Sequence, residues 1–570
     1  MTTVARPPES GYPDRHSKLA DDDDERTGTL VTRQLPAGLA RPEGRPTRRY
    51  RQLIRYLPLA LILAGQAILT VKLARWAFAS GDEGRYIYAG HQLIYELWHG
   101  GGSPYYETFF SGAPVIYPPL AAMADFVGGV LAVRLMSLAF MLTATCLLFG
   151  VSRRWFGYWP GVLAAGLFAG IGLTQDLGAL GTYDALSLML VAVAGYCAAR
   201  TGDAERHGTR WLLAVPLALL LANATKYASA LFDPVVIGIA VLQVSDSGVR
   251  RMALRVVALA TTTLTVLSVA VLAGGGAYLQ GVISSTFSRQ ANDAAFAGTG
   301  TGQAMLPARA IAEDSWNWVG AVVALCLLAF LIAIFIRRTW PEAALLGLLL
   351  VAGLLVTAEG IHLHSIESMY KHDDFGIWFT AAGAGAVVAW IRPRMVKLAL
   401  VLVLVAGSGF VYTRNAIATY QANDSSTAMF EYASLKPYLE LRTGMFLLGG
   451  LTADDLVYED RVPVPWFTLV DDLYIKYPIP GRGGDSHGVV EGPACYAVKP
   501  GCMYLEGLGG YRAAIHAHWF SVISMVGEHY TVLDRNIENI VSRTPGYVRL
   551  WALPGPPTWI YAVDFPPRYR

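Results

Sequence analysis

Asp82, Glu83 and Arg85 stand within a few residues of the end of the first long apolar run of this 570-residue chain. Carboxylates so close to the end of a spanning segment lie at the level of the lipid headgroups. Arg85 follows Asp82 by three residues, within reach of the same site on a helix. An arginine there can hold a phosphate through charge-assisted hydrogen bonds. A carboxylate can take a proton from an attacking hydroxyl. The pattern suits a reaction on a phospholipid-linked substrate, and a wetted loop mouth with ordinary charges fits the same residues.

Further polar groups recur where apolar runs begin or end. Lys226 sits at the junction of the fifth and sixth runs, either as a snorkelling anchor or as a phosphate ligand. Lys371 and His372 precede the tenth run in SMYKHDDF. Cations there can compensate the charge of a leaving phosphate in a low-dielectric site, or serve as interface anchors. Asp184 opens the fourth run, where an acidic residue also suits a helix N-terminus on dipole grounds. His362, His364, Glu359 and Glu367 are metal-ligand types, yet histidines two apart do not share a helix face. The sequence therefore requires no metal, although a divalent ion is compatible with it. The glycines near 274–276 and 298–302 lack the strand–helix context of a phosphate loop.

The elements that must position these residues are membrane spans. Hydrophobic residues make up 54% of the chain and charged residues 15%, well below the charge of a soluble domain. The net charge of +2 carries no nucleic-acid signal. Apolar runs predict about eleven spans, near 57–78, 128–150, 160–176, 184–200, 210–224, 227–244, 255–275, 317–336, 342–358, 375–391 and 396–413. Basic clusters at Arg48–Arg55, Arg153–Arg154, Arg200–Arg210, Arg250–Arg255, Arg337–Arg338 and Arg392–Lys397 then all fall on one side. The positive-inside rule makes that side cytoplasmic, with the C-terminus outside. Asp82, Arg85, Asp184, Lys226 and Lys371 then share the outer face.

Residues 1–46 are polar and Pro-rich, with an acidic run at Asp21–Glu25, and read as a disordered cytoplasmic tail. No signal peptide is expected, since the first apolar run is too long for one. Residues 47–413 form the transmembrane domain. Residues 414–570 read as a small extracytoplasmic α/β domain, with a helix near Ser425–Leu441 and strands in WFTLVDDLYI and YVRLWAL. Cys146, Cys197 and Cys326 lie in apolar runs as small hydrophobes. Cys495 and Cys502, in CYAVKPGC, can close a disulfide loop in an oxidising compartment; a metal pair is the weaker alternative.

GDEGRYIYAGHQLI followed by SGAPVIYPPL resembles the first outer loop of the GT-C membrane glycosyltransferases. The likeness is greatest to the lipid A aminoarabinose transferases and their protein O-mannosyltransferase cousins. TYDALSLMLVAVAGY and ATKYASALF resemble two later segments of the same family, in order along residues 57–400. The resemblance implies a GT-C fold and a polyprenyl-phosphate sugar donor, with inversion at the anomeric carbon. By position it implies Asp82 as the base, Glu83 in support and Arg85 on the donor phosphate. Tyr86 completes the Asp-Glu-x-Arg-Tyr motif, and Lys226, Lys371, His372 and Asp184 are further candidates. The aminoarabinose transferases carry Glu-Lys before Pro-Pro-Leu, where this chain has Ile116–Tyr117. Their metal-binding glutamate and phosphate-binding lysine are absent at that spot, so neither a metal nor an aminoarabinose donor carries over.

The sequence thus reads as a multi-pass plasma-membrane glycosyltransferase acting on a cell-envelope glycan, lipid or protein, with no nucleic-acid partner. The rivals are a transporter or lipid flippase and a non-catalytic envelope scaffold. A transporter is expected to show internal repeats or broken helices with charge at the bilayer midplane. Here the ionisable residues crowd the ends of the runs instead.

Overall fold

The computed structural model describes residues 48–75, 81–100, 106, 110–202, 205–283, 307–364, 369–393, 395–407, 438, 445–448, 467–468, 475–478, 490–491, 504–524, 532–550, 558–565 and 567. Residues 1–55 and 56–570 are two units, and the site described below lies within the second.

The chain is a polytopic α-helical membrane protein. Its first part runs through α1 (Arg48–Ala74), α2 (Gly81–His99), α3 (Tyr117–Phe156), α4 (Tyr158–Gly170), α5 (Gly172–Ala179), α6 (Tyr183–Arg200) and α7 (Glu205–Thr225). A 3₁₀ turn, Tyr227–Phe232, leads into α8 (Asp233–Leu242), followed by α9 (Val249–Val282) and α10 (Ala308–Leu331). Then come α11 (Trp340–Ala352), α12 (Leu355–Leu363), α13 (Met369–Ala384) and α14 (Met395–Gly407). The expected apolar runs fall on these helices, with 160–176 broken by the bend between α4 and α5, 342–358 divided between α11 and α12, and the ends of 57–78 and 396–413 outside the described residues. Among the described residues six helices are long and apolar enough to cross a membrane, or seven if the bent pair α4–α5 counts as one span. The others are short, or carry charge at their ends, as α6 does with Asp184 and Arg200.

Burial sorts the helices. α4 is buried from Pro160 to Gly170, and α13 from Asp373 to Ala384. Helices apolar on every side belong in the interior of a bundle. Around them pack Met141, Leu148, Phe168, Phe232, Phe375 and Trp378 in one continuous core. The Trp378 indole donates to the Ala144 carbonyl at 2.9 Å, tying α13 to α3. α9 leaves Leu254, Val257, Leu264, Val269 and Leu272 exposed, as a lipid-facing helix must. Of the apolar-run cysteines, Cys197 and Cys326 are buried and Cys146 is exposed.

The C-terminal part is a small α/β domain. Its larger sheet has the order β2-β1-β6-β8-β7, built from β1 (Met445–Leu448), β2 (Phe467–Thr468), β6 (Phe520–Ser524), β7 (Tyr547–Arg549) and β8 (Thr558–Tyr561). β1 pairs in parallel with β2 and β6, while β8 runs antiparallel to β6 and β7. A second sheet joins β3 (Ile475–Pro478) to β4 (Val490–Glu491) and β5 (Tyr504–Glu506). Helices α15 (Gly507–His516) and α16 (Val532–Val541) pack through Tyr511, Ile515, Ile537 and Val541 onto Phe520 and Ile523. Of the two strand expectations, Phe467–Thr468 and Ile475 in the first and Tyr547–Arg549 in the second are strand, and the rest of the first and the end of the second lie outside the described residues. The Ser425–Leu441 helix, apart from Tyr438, and the Cys495–Cys502 pair lie outside the described residues.

Candidate active site

α2 begins at Gly81, so Asp82 and Glu83 occupy its first turn, where carboxylates favour the helix dipole. Consecutive residues point about 100° apart on a helix, and these two meet different surroundings. Asp82 is half-buried and pairs with the Lys371 ammonium at 2.6 Å. Lys371 belongs to the first turn of α13, so the pair joins chain segments 289 residues apart. α2 lies outside the spanning segments. Burial works to raise the Asp82 carboxyl, but Lys371, then Arg85 and Lys226, outweigh it and hold the group at about 2. One lysine thus bonds this half-buried carboxylate, and two further cations act on it by charge.

Glu83 is fully buried. Arg134 of α3 grips it with two donors, Nε to Oε1 at 2.9 Å and Nη2 to Oε2 at 2.7 Å. The Gly181 amide donates to Oε1 as well. The remaining arm of Arg134 donates to the Ala74 carbonyl at 3.0 Å. One ion pair thus ties the end of α1, the start of α2, the middle of α3 and the turn before α6. α3 reaches this point past a kink where Gly129 adopts φ 66°, ψ −166°, a conformation open essentially to glycine alone.

The second lysine is held from two sides. Lys226 is buried and pairs with Asp184 in the first turn of α6. It also lies 4.9 Å from the Tyr183 ring centroid. Thr182 caps α6 without a side-chain bond, and the Asp184 carboxylate bonds the lysine across the turn. The loop of SGAPVIYPPL lies against this junction. The Ala113 amide donates to Ala224 at 2.7 Å, and the Tyr227 amide donates to Ser111 at 2.9 Å. A Cβ on Gly112 would stand 2.0 Å from the Thr225 carbonyl oxygen, so only glycine allows this approach. The Ser111 and Tyr183 hydroxyls share a hydrogen bond.

Tyr86 packs among the aromatic rings of the site. Its ring centroid is 4.5 Å from Tyr183, 5.1 Å from Phe110 and 6.0 Å from Tyr117. Burial pushes its hydroxyl well above the ordinary tyrosine value, and the nearby Asp82 and Asp184 charges push the same way, so it stays a neutral donor. Asp184 also acts on Lys371 by its charge.

The structure therefore gathers Asp82, Arg85, Tyr86, Asp184, Lys226 and Lys371, and sets Glu83 in the clamp beside them. His372 turns elsewhere and lines a recess with Ser229, Phe232, Glu359 and Phe375. His362 and His364 are exposed around the end of α12, and Glu367 lies outside the described residues. Among the described residues no group of three or more His, Cys, Asp or Glu side chains is placed to hold a metal. Sequence reasoning passed over Arg134, Tyr183 and Ser111. Arg134 did leave a signal, as a lone charge inside an apolar run.

Residues 120–273 match the family model described as dolichyl-phosphate-mannose-protein mannosyltransferase. The protein O-mannosyltransferase part of the resemblance is borne out over these residues. The matched stretch holds Arg134, Gly181, Tyr183, Asp184 and Lys226. Asp82, Arg85 and Lys371 lie outside it, while Glu83, beside Asp82, is tied to it by Arg134 and the Gly181 amide. In solved structures the chain is similar to ArnT from Cupriavidus metallidurans bound to undecaprenyl phosphate, at 16% identity and TM-score 0.47, covering 72% of this chain and 85% of that one. It is also similar to the apo oligosaccharyltransferase of Archaeoglobus fulgidus, at 12% identity and TM-score 0.45, covering 71% and 64%. No curated protein matches the chain in sequence.

Proposed function

We propose that the chain is a GT-C membrane glycosyltransferase that moves a sugar from a polyprenyl-phosphate donor to a hydroxyl of a cell-envelope acceptor on the outer face. The observation that carries this is the half-buried Asp82 carboxylate with Lys371 at 2.6 Å and Arg85 and Lys226 near enough to act on its charge. Arg85, Lys226 and Lys371 are cations able to meet the single negative charge of a glycosyl phosphodiester.

In the step, the acceptor oxygen bonds to the anomeric carbon from the face opposite the phosphate. The bond from that carbon to the phosphate oxygen breaks, and its electron pair leaves with the phosphate. The acceptor proton passes to Asp82, and the sugar inverts. Lys371, Lys226 and Arg85 stabilise the added charge of the departing phosphomonoester. Paired with Lys371, Asp82 is a weak base. An incoming phosphate competes for that ammonium and restores the basicity of the carboxylate as the donor seats. Arg85, Lys226 and Lys371 serve the phosphate, Lys226 as the buried cation among them, and Glu83 holds the turn that aims Asp82. The C-terminal domain shapes the acceptor side.

The test is transfer by the purified full chain in nanodiscs, given polyprenyl-monophosphate sugars and an envelope extract. The expected result is an inverted glycosidic product with free polyprenyl phosphate, and accumulation of the unused donor in a deletion strain. Movement of the lipid across the bilayer with its glycosyl–phosphate bond intact would instead establish a flippase.

A further inference from the structure

The two lysines of the site are held in unlike ways. Lys371 keeps some exposure and has an accessible carboxylate as its partner. Lys226 is buried, with Asp184 on one side and the face of Tyr183 on the other. A buried ammonium has three donors and needs a fixed direction if one of them is to reach a ligand. Asp184 alone sets a distance and leaves the four-carbon stem free to swing about it. The Tyr183 ring removes that freedom.

We infer that Tyr183 is the positioning residue of the phosphate site: its ring face aims the Lys226 ammonium at the donor phosphate. This rests on the reading of Lys226 as a phosphate ligand. The ring is itself fixed. Its hydroxyl bonds Ser111, and the ring packs on Tyr86 and Tyr117 at 4.5 Å and 6.4 Å between centroids. The attraction comes from the negative face of the aromatic system, so it survives loss of the hydroxyl and fails with loss of the ring. Ser111 belongs to the loop whose backbone pairs with Ala224 and Tyr227, on either side of Lys226. Ring, lysine and loop thus form one connected unit.

The experiment measures binding of polyprenyl monophosphate to the full chain in nanodiscs, so that it is independent of turnover. The variants are Tyr183→Phe, Tyr183→Leu, Lys226→Gln and the double variant Tyr183→Leu/Lys226→Gln. Tyr183→Phe is expected to bind within about twofold of the unaltered protein, and Tyr183→Leu roughly tenfold more weakly. In the Lys226→Gln background, Tyr183→Leu is expected to cost nothing further, because the residue acts through the lysine. Fluorinated phenylalanines at position 183 drain the ring face of negative charge at nearly constant size. They are expected to weaken binding step by step, and they serve equally if Tyr183→Leu fails to fold. An equal loss in both backgrounds, or a flat fluorinated series, would show that Tyr183 only packs and would overturn the inference. Unchanged binding by Lys226→Gln would overturn the phosphate-ligand reading of that lysine, and the inference with it.

Discussion

Asp82 and Glu83 are neighbours in one helical turn, yet they lead different lives. Asp82 has 38% of its side chain exposed and one cationic partner within bonding distance. Glu83 has none exposed and takes two donors from Arg134 and one from the Gly181 amide. A carboxylate whose lone pairs are filled by buried donors cannot exchange a proton without breaking the structure. A carboxylate at an opening, held by one displaceable lysine, can. The adjacent pair therefore divides into a buried clamp and an accessible carboxylate, the one proposed to react, and burial decides which is which.

The largest effect expected from breaking that comparison is on folding. Glu83→Ala leaves Arg134 buried without its partner, and loss of one member of a buried ion pair costs about 3–5 kcal/mol. Denaturant titration of the detergent-purified variant should register it. If Glu83→Ala unfolds like the unaltered protein but loses all transfer, the division of roles proposed here is reversed.

The next effect concerns Lys371. Lys371→Gln removes the cation at 2.6 Å from Asp82. Loss of one charge-assisted phosphate contact, worth about 1.5–3 kcal/mol, predicts donor binding weaker by roughly 10- to 100-fold. The same change moves the Asp82 carboxyl upward from about 2, because burial remains and its nearest cation is gone. A group lowered on folding contributes stability above its unfolded value near 4 and loses that stability as pH falls through about 2. The acid limb of the stability profile should therefore lie at higher pH in Lys371→Gln. An unmoved acid limb would mean that Lys371 does not set the charge of Asp82.

The smallest effect serves as a control. Arg309 and Glu313 form an exposed pair one helical turn apart, with 87% and 58% of their side chains exposed. Arg309→Ala is expected to change stability by less than about 0.5 kcal/mol and to leave transfer unaltered.

The membrane class was legible because apolar runs of spanning length have few other uses. Asp82, Arg85, Asp184, Lys226 and Lys371 were legible as polar residues at run ends. Their partners were not, because pairings such as Asp82 with Lys371 join distant segments and carry no spacing signal. Helix-dipole reasoning favoured Asp184 as a cap, whereas the residue bonds Lys226, since a buried ammonium needs a counter-charge more than a helix end needs another carboxylate. The clamp made by Glu83 was not legible, because sequence shows adjacency and hides rotation about the helix. Arg134 was the readable clue that was passed over: a charge in an apolar run implies a partner, and Glu83 is that partner.

The most direct test of the central claim is a paired measurement on Asp82→Asn: donor binding and sugar transfer by the same folded preparation. Asparagine keeps the shape and gives up the proton acceptor. Binding of polyprenyl monophosphate should be retained or tightened, since Lys371 is released to the phosphate, while transfer falls by about 10²- to 10⁴-fold. Transfer at the unaltered rate would contradict the account.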